Sequence, residues 1–170
     1  MAAIPPLEKD KVDEIAKAVY EKFEKETGKV PEWVKVMAYN PKVLKEFTEL
    51  FKVIMKEGYI EPSLRWKIAY VVSNTLRCPF CVDVTGKMLK TFGATDEMLE
   101  KIKEGIGENE KEKKVFAFVK EITTKAICDS ELFKEIREEF TEPELVEIVS
   151  IIGLFNYINR FNNTFCILPE

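Results

Sequence analysis

The chain of 170 residues carries 30 acidic and 26 basic side chains, a net charge of −4 and no histidine, and 46% of its residues are hydrophobic. That length suits one domain over residues 1–170, burying roughly 70% of the surface that the unfolded chain exposes. The lysines alternate with glutamates, which leaves no concentrated positive field for nucleic-acid phosphates or an anionic membrane. No run approaches the 18 or so apolar residues of a membrane span, and Met1-Ala2-Ala3-Ile4-Pro5-Pro6 lacks the apolar core of a signal peptide, so the expected location is cytoplasmic. Charge concentrated in Lys and Glu, with no Gln, leans towards a heat-adapted source, the setting in which an intracellular Cys128–Cys166 bridge is conceivable.

The pattern begins with Val12, Ile15, Ala16, Val19, Tyr20 and Phe23 at helical spacing, a stripe that stops at Thr27-Gly28. Trp33, Val34 and Met37 predict a short helix over 31–39, ended by Asn40-Pro41 because the residue before a proline resists the helical region. Val43, Phe47, Leu50, Phe51 and Ile54 start another, with Gly58 as its close. Glu61-Pro62-Ser63 then opens a helix over 64–75 that buries Leu64, Ile68, Val71 and Val72.

That helix delivers the chain to Cys78-Pro79-Phe80-Cys81. Cys78 falls at the N-cap of the next helix, Pro79 at its first position and Cys81 at its third, where free backbone N–H groups and the positive end of the dipole stabilise a thiolate. A thiol of pKa about 8.5 is only a few per cent ionised at pH 7, whereas a depression to about 7 makes roughly half of it nucleophilic. Two cysteines so placed read as a redox dithiol. A structural zinc site needs four ligands, and beyond this pair only the isolated Cys128 and Cys166 are available. The pair could also be a static disulfide or two buried small hydrophobes, but neither of these requires Pro79.

The helix predicted over 79–92 ends at Gly93, and Thr95 caps another that runs through Met98, Leu99 and Ile102 to Gly105. Gly105-Ile106-Gly107 is a turn and not a phosphate loop, and no motif implies a cofactor. A helix follows over 110–126, and Ser130 is the expected cap of a short one reaching Phe140. Thr141-Glu142-Pro143-Glu144 is a capping box that opens a long last helix over 142–162. Apolar residues cover more than one face of it, which predicts a central helix or one shared with a neighbouring subunit, with Leu154 and Phe155 as interface candidates. Nothing alternates with period two, so the expected fold class is all-α.

Residues 64–97, with Val72-Ser73-Asn74, Cys78-Pro79-Phe80-Cys81-Val82-Asp83 and Phe92-Gly93-Ala94-Thr95-Asp96-Glu97, resemble the core of the alkylhydroperoxidase D and carboxymuconolactone decarboxylase family. Val30-Pro31-Glu32-Trp33, Asn40-Pro41-Lys42-Val43-Leu44 and Asn156-Tyr157-Ile158-Asn159-Arg160-Phe161 resemble the flanks of its peroxidase-related branch. The resemblance implies an all-helical subunit that assembles into trimers or larger rings, and a thiol-dependent peroxidase or disulfide reductase. It also implies roles: Cys81 attacks the peroxide, Cys78 resolves the sulfenic acid as a disulfide, and a dithiol or lipoyl-bearing partner reduces that disulfide. The family's proton relay uses a glutamate and a histidine where this chain has Trp66 and Thr85. The Thr85 hydroxyl, one turn from Cys81, can offer a hydrogen bond to a thiolate but cannot act as a base. A general base contributes typically 10²–10⁴-fold, so the resemblance predicts a weak peroxidase or a dithiol oxidoreductase. The competing expectation is a non-catalytic, oligomeric redox-sensing or binding module.

Overall fold

Prolines and left-handed glycines punctuate the helices where the sequence places them. The computed structural model describes residues 2–169, so Met1 of the N-terminal run falls outside it. After a 3-10 turn at Lys9–Lys11, the described residues form α1 (Glu14–Thr27), α2 (Glu32–Met37), α3 (Pro41–Lys56), α4 (Pro62–Thr75), α5 (Pro79–Thr91), α6 (Asp96–Glu104), α7 (Glu110–Lys125), α8 (Ser130–Glu139) and α9 (Glu142–Thr164). Among them there is no strand, and the fold is all-α. No helix among the described residues is long and apolar enough to cross a membrane.

Side-chain caps follow the polar residues that precede each apolar stripe. Asp13, Asn40, Thr95 and Asn109 accept from the backbone amides of Ala16, Val43, Met98 and Glu112. Gly28 at φ 79° and Gly105 at φ 87° end α1 and α6 in the left-handed region, which a side chain resists. Two expectations are corrected. Asp129, not Ser130, caps α8, because its carboxylate is the group that reaches the Glu131 and Leu132 amides. Gly58 does not cap α3, whose C-cap is Glu57; a Cβ at Gly58 would overlap the Glu147 carboxylate, and that close approach is what requires glycine.

The most enclosed element is α4, where Ile68, Ala69, Tyr70, Val71, Val72 and Ser73 are all buried in succession. It packs against α5, α6, α7 and α9, so it can bury every face. Beside it, α9 buries Ile148, Ile151, Ile152, Leu154, Phe155 and Ile158. Each such side chain contributes about 1.5–3 kcal/mol of transfer free energy. Leu154 and Phe155 are therefore core residues of the chain itself and not surface contacts; the apolar side chains that α9 exposes are Val146, Val149 and Tyr157.

The turn between α3 and α4 is tied to α9 by charge. Glu147 lies buried on α9 and accepts from the Tyr59 and Ile60 amides, while its Oε1 stands 2.8 Å from Arg65 Nε, close but off-axis for a hydrogen bond. Arg65 is buried too and donates from Nη1 to the Met55 carbonyl at 3.1 Å. A ring series from Phe23 and Trp33 through Phe47 and Phe51 to Trp66 and Phe155 carries the packing from α1 to α9. These ties fix α4 and α9 side by side, and the cysteines lie at the end of that pair.

Candidate active site

The backbone reverses sharply to bring α5 back along α4. Arg77 takes φ 53°, a left-handed conformation that costs a non-glycine residue about 1–2 kcal/mol. The turn is held by amide bonds from Leu76 to the Val72 carbonyl, Arg77 to Asn74 and Cys78 to Ser73. Asn163 at the end of α9 adds a bond from Nδ2 to the Leu76 carbonyl at 3.1 Å.

Cys78 then serves as the N-cap of α5, with Pro79 in its first turn, as the motif predicts. The Cys81 backbone N–H donates to Cys78 Sγ at 3.3 Å, and the two sulfurs share a hydrogen bond at 2.8 Å. A disulfide is about 2.05 Å long, so closure needs less than an ångström of approach. Both residues are buried, Cys78 completely and Cys81 to 4% exposure.

The two thiols differ in acidity. Cys78 is pushed below the ordinary thiol range, first by the hydrogen bond from Cys81 and also by the backbone amides of Cys81 and Phe80, against the cost of burial. Cys81 is pushed upwards by that same shared hydrogen bond, by burial and by the charge on Cys78, with Asn162 acting in the opposite direction. The sequence places the stabilised thiolate at Cys81. In the structure the Cys81 backbone N–H of the first turn meets the N-cap sulfur of Cys78, which favours charge there.

The expected supporting residues stand elsewhere. Thr85 is fully buried, and its hydroxyl donates to the Cys81 carbonyl at 2.7 Å, which occupies the proton that the sequence offers to a thiolate. Trp66 sits two turns before Ser73 on α4, in ring contact with Phe51 and Phe155. It belongs to the aromatic packing between α3, α4 and α9.

Sequence reasoning missed the side chain behind Cys81. Asn162 on α9 is fully buried and donates from Nδ2 to Cys81 Sγ at 3.3 Å. One turn earlier Asn159, also buried, donates to the Phe155 carbonyl and to Ser73 Oγ. The available signal was the three-residue spacing of Asn156, Asn159 and Asn162 in an otherwise apolar helix. The remaining cysteines are free thiols: Cys128 lies half-buried before α8, and Cys166 is exposed after α9. Among the described residues no group of three or more Cys, Asp or Glu is placed to hold a metal ion.

Among the described residues, open hollows mark two parts of the surface. One of about 380 Å³ lies between α3 and α9, with Val43, Phe47, Leu50 and Tyr157 in its wall. The other, about 440 Å³, runs along α5 and α6 past Tyr70, Val82, Gly86 and Leu99. Neither is lined by a cysteine.

Residues 41–121, which contain α3 to α6 and both cysteines, match the model of the carboxymuconolactone decarboxylase family. No curated protein matches the sequence. Among solved structures, the chain is similar to the alkylhydroperoxidase AhpD core of an uncharacterized peroxidase-related protein from Ralstonia eutropha JMP134, with a TM-score of 0.88 and 19% identity over 99% of this chain and 92% of that one. A peroxidase-related protein from Silicibacter sp. TM1040 gives a TM-score of 0.86 and 21% identity over the same shares. The debrominase Bmp8 gives 0.82 and 25% over 97% of this chain and 90% of its own. The chain thus matches the carboxymuconolactone decarboxylase family model over residues 41–121, across the Cys-x-x-Cys between α4 and α5, and its fold is alkylhydroperoxidase D-like.

Proposed function

We propose that the protein is a thiol–disulfide oxidoreductase acting through Cys78 and Cys81, with slow thiol-dependent peroxide reduction as a second activity and an antioxidant-type role in the cytoplasm. The observation that carries this reading is the 2.8 Å sulfur pair at the start of α5, with the Cys81 backbone amide donating to Cys78 Sγ. In the proposed cycle the Cys78 thiolate attacks a disulfide RSSR, forming Cys78–S–S–R and releasing RS⁻. Cys81 then attacks Cys78 Sγ, the second RS⁻ leaves with the Cys81 proton, the first takes a proton from solvent, and two RSH leave for one RSSR consumed. With a hydroperoxide, ROOH gives ROH and a Cys78 sulfenic acid, and Cys81 closes the disulfide with loss of water. This order reverses the one that the family resemblance implies. A dithiol, of lipoyl or similar type, restores the reduced pair.

The burial of both sulfurs favours a second reading, in which slow exchange makes the pair a redox sensor in place of a turnover site. Equilibration in dithiol buffers spanning about −320 to −120 mV, followed by maleimide capture of free thiols, tests both. The expected result is one two-electron transition that converts Cys78 and Cys81 together. Thiols that stay free throughout would end both readings, while a transition without multiple turnover would leave only the sensor.

We further propose that copies of the chain associate through the apolar face where Val43 and Leu50 of α3 stand exposed beside Tyr157 of α9, with Val53, Val146 and Val149 exposed on the same two helices. Sedimentation is expected to give an oligomer at micromolar concentration and a monomer after Leu50→Lys with Val146→Lys. A wild-type monomer would contradict the proposal.

A further inference from the structure

Asn156, Asn159 and Asn162 of α9, the last two fully buried, behave differently from one another. Asn156 and Asn159 turn their amide nitrogens back to the carbonyls four residues earlier, Ile152 and Phe155, which is the ordinary way for a helical asparagine to satisfy a donor. Asn162 does not. Its Nδ2 leaves the helix and donates to Cys81 Sγ, while its Oδ1, like that of Asn159, is buried without a protein partner. Burying an amide with one group unpaired costs free energy that a leucine at the same place would not. A hydrogen bond to a neutral thiol returns little of that cost, whereas one to a thiolate is about twice as strong as a neutral bond. The benefit of Asn162 is therefore realised only when Cys81 is charged.

Cys81 must become charged once in each cycle. Resolution requires its sulfur to attack the Cys78–S–S–R bond as a thiolate, forming the Cys78–Cys81 disulfide while RS⁻ leaves and takes up the Cys81 proton. The chain contains no histidine, and the Thr85 hydroxyl is occupied by a carbonyl. We propose that Asn162 is the catalytic donor of the resolving step, holding the anionic Cys81 sulfur through its Nδ2–H and taking part of the role that a base fills elsewhere. Among the described residues, the groups that shift Cys81, besides burial, are Cys78 and Asn162. Ser73 and Asn159 set the depth of α9 against α4 one turn away, and Asn163 pins its end to Leu76.

The place of Asn162 in a cycle rests on the dithiol reading above, but its bond to Cys81 is tested without turnover. In a protein carrying Cys78→Ala, Cys128→Ser and Cys166→Ser, the thiolate absorbance near 240 nm reports Cys81 alone. Asn162→Leu is expected to cut the thiolate fraction on the rising part of that titration about tenfold, and Asn162→Asp more, since a carboxylate repels the anion. Leucine, aspartate and asparagine are close in size, so a packing role would not produce that order. Should either variant fail to fold, the side-chain amide nitrogen of Asn162 in the parent protein is followed by NMR across the same pH range. Its resonance is expected to move with the Cys81 titration curve, and a flat response would overturn the proposal, as would equal titration of all three proteins. If the order holds while no disulfide or peroxide is ever turned over, the oxidoreductase reading fails and the Asn162–thiolate bond stands.

Discussion

Cys78→Ser is expected to reduce disulfide turnover by about 10³-fold or more, because a serine hydroxyl has no thiolate form near neutral pH and nothing beside it can ionise it. Cys81→Ser is expected to behave differently: one equivalent of RSH appears, and the enzyme stops as a Cys78 mixed disulfide that mass spectrometry detects. The asymmetry follows from the two amides that favour charge on Cys78 and from the raised pKa of Cys81. A mixed disulfide trapped on Cys81 in the Cys78→Ser protein would restore the order that the family resemblance implies, and the electrostatic argument would then be wrong.

The second large effect is on stability. Glu147→Ala is expected to cost about 3–5 kcal/mol, because it leaves the buried Arg65 guanidinium without its carboxylate and the Tyr59 and Ile60 amides without an acceptor. Against a typical total of about 5–15 kcal/mol this is a large fraction, and denaturant midpoints should show it directly. Arg65→Met added to Glu147→Ala should recover part of the loss, since an apolar pair avoids the unpaired charge. A loss below about 1 kcal/mol for Glu147→Ala would mean that the ion pair is not needed to dock the α3–α4 turn on α9. Gly58→Ala is expected to resemble a weaker form of the same lesion, because its methyl group overlaps that carboxylate.

These effects divide along the line between what the sequence expresses locally and what it expresses only through packing. The helices were legible because their stripes and caps lie within one element: Asp13, Thr95, Asn109 and the Thr141–Glu144 box each bond within four residues. Cys78 and Pro79 were legible for the same reason, as was the N-cap geometry of α5. The acidity of the two thiols was not, since it depends on which sulfur the amides meet and on Asn162, 81 residues away. Gly58 shows the limit clearly. As sequence it reads as a helix terminator, but its reason is Glu147 on α9, the same carboxylate that accepts from the Tyr59 amide across 88 residues of chain. Leu154 and Phe155 were placed at an interface because α9 is apolar on several faces, and the burial of those faces against α4 and α3 could not be read from periodicity.

Site-resolved alkylation against pH tests the central claim most directly. The reduced protein is reacted briefly with iodoacetamide from about pH 5 to 10, and the modification of each cysteine is quantified by mass spectrometry. A group whose pKa is lowered is ionised, and reactive, from a lower pH upwards. Cys78 is therefore expected to gain reactivity below the ordinary thiol midpoint of about 8.5, with Cys81 following only above it. The result that would contradict the account is Cys81 ionising before Cys78, or the two ionising together.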